Sequence, residues 1–126
     1  MSSPPNRPVY LNLFAIKLPP AGMASIAHRL SGVLLVLCTP LFIALFARSL
    51  QDPAGFQATQ AILSTTWFKA ILLLLCWAIA HHLLAGIRFL LLDIDIGMHR
   101  DVLNKTAWGV IVLGLLCAAL LAWRFI

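Results

Sequence analysis

The chain has 126 residues, of which 62% are hydrophobic and 10% charged, with a net charge of +5 and a mean hydropathy of +0.98. Soluble domains hold roughly 45–50% apolar and about 25% charged residues, so this composition excludes an ordinary soluble fold and points to a membrane protein. The basic residues are scattered, with no aromatic-interleaved patch, and give no support to nucleic-acid binding.

Residues 1–22 form a polar, proline-bearing arm, read as cytoplasmic. The first apolar run begins too far into the chain, and lacks an A-x-A-like site after it, to be a cleaved signal peptide. Nor is the arm Arg-rich enough for a transit peptide. Pro19-Pro20 and Gly22 mark where it gives way to helix.

Residues 23–126 are expected to be an all-α, three-helix transmembrane anchor. Its spans run from Ile26 to Phe46, Trp67 to Leu92 and Ala107 to Trp123, each near the roughly 20 residues that cross a hydrocarbon core of about 30 Å. Three such helices bury little of one another, so the bundle is expected to be one part of a hetero-oligomer.

In chain order, Ser25 is a candidate N-cap of the first span. Pro40 removes a backbone donor inside that span and should kink it, with Thr39 available to satisfy part of the freed backbone. The polar connection 48–66 carries Asp52-Pro53-Ala54-Gly55 as a turn signal, followed by FQATQAIL as a short surface helix. In the third span Gly109, Gly114, Ala118, Ala119 and Ala122 are small enough for close helix approach. Cys38, Cys76 and Cys117 fall one per span without C-x-x-C spacing and are read as packing residues.

Arg7, Lys17, Arg29, Arg100 and Lys105 lie on the side of the N-terminus and the 93–106 loop, against Arg48, Lys69 and Arg124 on the other. The positive-inside bias therefore puts the N-terminus inside and the C-terminus outside, and with no transit peptide read in the arm the expected compartment is a bacterial inner membrane. Trp67 with Phe68, Trp108, and Trp123 with Phe125 suit interfacial belts.

The second span contains HHLLAGIRFLLLD, residues 81–93, with three ionisable side chains in an apolar run. An ionisable group inside a membrane costs about 2.5–3.5 kcal/mol at the centre for Arg or Lys, and marks a functional site by default. His82, eleven residues before Asp93, lies about 16 Å deep by helical rise, near midplane. Its i−4, i+3 and i+4 neighbours are Ala78, Ala85 and Gly86, whereas His81 sits by Trp77 and lines up with Arg88.

Small neighbours would leave room for a flat macrocycle, and an imidazole nitrogen is an axial ligand for haem iron. Neither His28 nor His99 reaches that depth, so a second axial ligand, if there is one, should come from another chain. The plainer alternative is a histidine hydrogen-bonded across the bundle.

In ASIAHRLSG, Ser25 and Arg29 share a face at i, i+4, with His28 beside them. Arg29 either snorkels to lipid phosphates or joins His28 and Arg88 around haem propionates or a quinone head group. Asp93 and Asp95 are unfavourable at a helix C-terminus. They either terminate the helix in solvent or, for Asp93, pair with Arg88 or Arg29 and serve proton delivery.

Taken together, RPVYLNLFAIKLP, SIAHRLSG and HHLLAGIRFLLLD resemble the cytochrome b membrane-anchor subunit of succinate dehydrogenase, respiratory complex II. The resemblance implies electron transfer from succinate through flavin and iron–sulfur clusters to ubiquinone. It implies a second small anchor subunit, an iron–sulfur subunit and a flavoprotein subunit as partners, and haem b shared between the two anchors. Position by position, His82 matches the axial ligand of haem iron. Ser25, Arg29 and Asp93 match the quinone side, and His28, Arg29 and Arg88 the haem propionates. His81 stands where many members have tyrosine, which keeps it open as an alternative ligand, and Phe89 stands where a histidine often follows.

Two other readings compete. A haemless structural or assembly anchor would use His82 only to bond a neighbouring helix. A small proton or cation transporter would need a mid-span carboxylate, and no Asp or Glu lies inside the three spans.

Overall fold

The computed structural model describes residues 17–125. The arm up to Ile16, with most of the RPVYLNLFAIKLP motif, lies outside the described residues. Among those described there are four α-helices: α1 (Pro20–Ser49), α2 (Pro53–Leu63), α3 (Thr66–Asp93) and α4 (Arg100–Phe125). Helices α1, α3 and α4 are long and apolar enough to cross a membrane. Helices α1 and α4 extend beyond the expected spans mainly at their starts, at Pro20 and Arg100, where helical backbone begins before the apolar run does.

The helix starts follow proline chemistry. Pro19 is the extended N-cap of α1, with φ −67° and ψ 156°, and Pro20 opens the first turn. Proline at the first helical position has a preset φ and forfeits only an N–H that would be unpaired anyway. Ser25 is therefore not the N-cap: it falls in the second turn, because Pro20 starts the helix earlier than the apolar run suggests.

Asp52-Pro53-Ala54-Gly55 also departs from expectation, since it is helix rather than turn. The Asp52 side chain caps α2 by accepting from the Gly55 N–H, and Pro53 is in the first turn. Turn and helix-start signals use the same residue types, and here the helix prevails.

Helix α1 continues through Pro40. Thr39 does not serve the carbonyl freed by proline, which is that of Val36 by i→i−4 spacing. Its hydroxyl donates instead to Leu35 O at 2.7 Å, the ordinary back-bond of a helical threonine.

Helix α3 ends in a Schellman motif. The Asp95 N–H donates to Leu92 O at 3.0 Å and the Ile96 N–H to Leu91 O at 2.9 Å. Asp95 supplies the left-handed residue, at φ 63°, in the place where glycine is usual. A short loop then leads to α4 at the same end of the bundle as the start of α1.

Helix α3 is central, packed against α4 and against α1. Near the α1 start, Ala24, Ala85, Ala107 and Val110 form a closely packed cluster. Small side chains bring helix backbones together where lipid offers no hydrophobic drive between helices. Of the small residues in α4, Gly114 and Ala118 are buried, while Ala119 is exposed and Gly109 faces open space.

Trp67, Trp108 and Trp123 are exposed, as interfacial residues should be, but Phe68 is 1% exposed and packs between Phe42 and Trp67. Cys38, Cys76 and Cys117 are free and half-buried. Helix α1 fully buries only Ala24 and Ser31, so most of its apolar surface is left for lipid or further helices.

Candidate functional site

Adjacent residues on a helix point about 100° apart, so His81 and His82 meet different neighbours. His82 turns toward α1 and lies on its backbone. A Cβ added to Gly32 would sit 2.9 Å from His82 Cε1, so the imidazole occupies the space that a side chain at position 32 would fill. The His28 ring stacks on it, with centroids 4.1 Å apart and planes 9° from parallel.

Three polar atoms fix the protonation of that ring. The Ser31 hydroxyl donates to the His28 carbonyl at 2.8 Å. His82 Nδ1 lies 3.1 Å from the same carbonyl oxygen and 3.1 Å from Ser31 Oγ. A carbonyl can only accept, so Nδ1 carries the proton and donates to both oxygens. Nε2 is then the nitrogen with the lone pair, which is the form of histidine that binds metals.

His82 lines an open groove of about 490 Å³ with His28, Arg29, Gly32, Val33, Val36 and Leu37. Arg29 is exposed at its rim, Ser25 is half-buried one turn nearer the start of α1, and Asp93 is exposed at the end of α3. His28 cannot ligate the same iron from the opposite side. The two rings lie face to face, whereas a ligand lone pair lies in the plane of its ring.

His81 faces α4. It is 1% exposed, stacks on Trp77 at 5.5 Å, and both ring nitrogens are buried without a hydrogen-bond partner. A Cβ on Gly114 would come within 3.2 Å of His81 Cα and Cβ, so glycine there lets α4 approach.

Arg88 also faces α4 and does not gather with Arg29. It is 6% exposed, with Nε donating to Thr106 Oγ1 at 3.0 Å and Nη2 to Leu103 O at 3.0 Å. Its guanidinium bridges α3 to the first turns of α4, so neither Arg29 nor Asp93 is its partner.

The small neighbours expected to clear space around His82 have other uses. Ala78 and Ala85 are fully buried in helix packing. A Cβ on Gly86 would meet His28 Nε2 at 3.5 Å. The residues that admit His82 are Ser31 and Gly32 of α1. Both sit in the SIAHRLSG stretch, one turn after His28, and the pair of small residues behind a histidine is the signal that points to them.

Three long apolar helices, with an imidazole set into the groove between two of them, define a class: a helical membrane protein. The chain belongs to the succinate dehydrogenase/fumarate reductase transmembrane subunit family, whose pattern matches residues 3–122. It is 38% identical over 89 residues to the succinate dehydrogenase cytochrome b556 subunit of Coxiella burnetii, covering 70% of this chain and 71% of that one. The cytochrome b556 subunit of Paracoccus denitrificans is 29% identical over 116 residues, 91% of this chain and 88% of its own length. That of Rickettsia felis is 30% identical over 115 residues, 91% and 90%. The motif resemblance thus holds at the level of family, and the chain is a multi-pass membrane protein.

Proposed function

We propose that this chain is the haem-carrying membrane anchor of a succinate dehydrogenase, holding haem b through His82 and helping to form the ubiquinone site. The observation that carries this reading is the Nδ1–H of His82, donated to the His28 carbonyl and Ser31 hydroxyl, which leaves Nε2 as the ligating nitrogen beside the groove. That donor set and the Gly32 recess fit an axial haem ligand. His81 fits less well, since α4 and Trp77 enclose it.

Haem b, when bound, would supply a one-electron store within the membrane anchor. His82 binds and orients it, and the groove's Val33, Val36 and Leu37 keep water from it. Arg29 offers the charged donor for propionates or for a quinone carbonyl, Ser25 offers a hydroxyl on the same face, and Asp93 at the helix end is the acid nearest that end for proton uptake. His28 holds the ring plane of His82. Arg88 is assigned to joining α3 with α4 rather than to the haem propionates.

His82 would hold the haem together with a second small anchor subunit, the partner that the depth of His82 and the lack of another imidazole facing it among the described residues call for. The iron–sulfur and flavoprotein subunits dock at the end of the bundle that holds Arg29 and Asp93. The cytochrome b556 names of the relatives and the basic excess at that end support this arrangement, with the N-terminus cytoplasmic and the C-terminus periplasmic in a bacterial inner membrane.

The test is a reduced-minus-oxidised absorption spectrum of the purified complex. A b-type band lost in His82→Leu and kept in His81→Leu is expected. A complex with no haem band would leave only a structural anchor, and a band that survives His82→Leu would move the ligand away from His82. Arg29→Leu should raise the quinone KM with the complex still assembled.

A further inference from the structure

We infer that Ser31 is a positioning residue for the haem ligand: its hydroxyl, shared between the His28 carbonyl and His82 Nδ1, fixes the plane and donor strength of the His82 imidazole. This rests on the reading of His82 as the axial ligand. The side chain is fully buried, one of only two such residues on α1. Its bond to the carbonyl three residues back is a common helical back-bond, but it also lies within 3.1 Å of a histidine on another helix, 51 residues away in sequence.

The balance of protons gives the hydroxyl its role. Its own hydrogen goes to the His28 carbonyl, so its oxygen is left to accept from His82 Nδ1–H. The carbonyl accepts from the same N–H. Two acceptors on one N–H restrict ring rotation, and they draw the proton away from the ring, which makes Nε2 a stronger donor to iron. Hydrogen bonds of this kind outside the ligand shell orient metal-bound histidines and raise their basicity. A stronger donor favours ferric iron and lowers the reduction potential.

Replacing Ser31 by Ala removes one acceptor directly. It also frees the His28 carbonyl from a donor, which strengthens that acceptor slightly. The direct loss outweighs the indirect gain, since polarisation through a shared acceptor is only a fraction of a bond.

The experiment is redox titration and low-temperature EPR of the haem in the intact purified complex. Ser31→Ala should raise the midpoint potential and move the low-spin g-values with haem content unchanged. Ser31→Thr, whose hydroxyl can make the same back-bond, should restore both toward wild type. If Ser31→Ala does not assemble, Ser31→Cys, of similar volume but with a weaker acceptor, should shift the potential in the same direction. A haem whose potential and g-values are indifferent to loss of the hydroxyl overturns the role of Ser31 and leaves His82 as ligand. A wild-type complex without haem overturns the ligand assignment, and this inference with it.

Discussion

His28 lies flat against His82, whose ring fills the recess that Gly32 leaves on α1. The imidazole of His82 is thus confined by the stacked ring and by the backbone at Gly32, with its Nδ1–H tied to the His28 carbonyl and Ser31 oxygens. Phe89 meets the His28 ring edge-on at 5.1 Å, which limits how far the stack can shift.

Gly32→Ala should therefore displace the haem ligand. The new methyl would stand 2.9 Å from Cε1, and the ring cannot yield without stretching its hydrogen bonds or pressing on His28. Overpacking of this kind costs about 1–3 kcal/mol. The haem content per complex and the Tm should both fall. Wild-type haem content in this variant would show that the ring has room the structure does not give it.

His81→Phe should stabilise the subunit and leave the haem in place. Two buried nitrogens without partners each carry a desolvation cost of about 1–3 kcal/mol, which a phenyl ring removes while keeping the stack on Trp77. The larger ring presses toward α4, so a net gain of about 1 kcal/mol is expected. Thermal unfolding and the b-type band of the same preparation check both halves, and loss of the band would move the ligand to His81.

Much of this site is legible in the primary structure, and the reasons it is legible also set where reading stops. The three spans follow from long apolar runs. The i+7 spacing of His81 and Arg88 places them on one face, as found, but no pattern in α3 tells which helix covers that face. Arg88 consequently reads as a partner of Arg29 when its partners, Leu103 and Thr106, belong to α4. The start of α1 is read late for a different reason: hydropathy marks where lipid begins, whereas Pro20 marks where helical backbone begins. Ser31 escapes notice because its importance lies in a single shared carbonyl, a tertiary contact without periodicity.

Arg88→Met separates helix joining from quinone binding. Methionine keeps the apolar stem but removes both bonds to α4, and hydrogen bonds from charged groups contribute about 1.5–3 kcal/mol each. The variant complex should lose about 3 kcal/mol of stability, the low end for two such bonds because the cost of burying the charge goes with them, seen as a lower Tm. Its quinone KM should stay near wild type, in contrast to Arg29→Leu. A raised KM with unchanged Tm would return Arg88 to the quinone side.

Asp95→Gly tests the Schellman ending of α3. Aspartate at φ 63° pays for a left-handed backbone that glycine adopts freely, a penalty of about 1 kcal/mol. Its carboxylate also faces the negative end of the helix dipole, unfavourable by about 0.3–1 kcal/mol. Glycine loosens the unfolded chain and returns some of this, since it has more conformations to lose on folding. The net should be a gain of about 0.5–1 kcal/mol and a higher Tm, with both hydrogen bonds of the motif, Asp95 N–H to Leu92 and Ile96 N–H to Leu91, retained by residue 95 and its neighbour. A lower Tm would mean that the carboxylate holds a contact in the assembled complex.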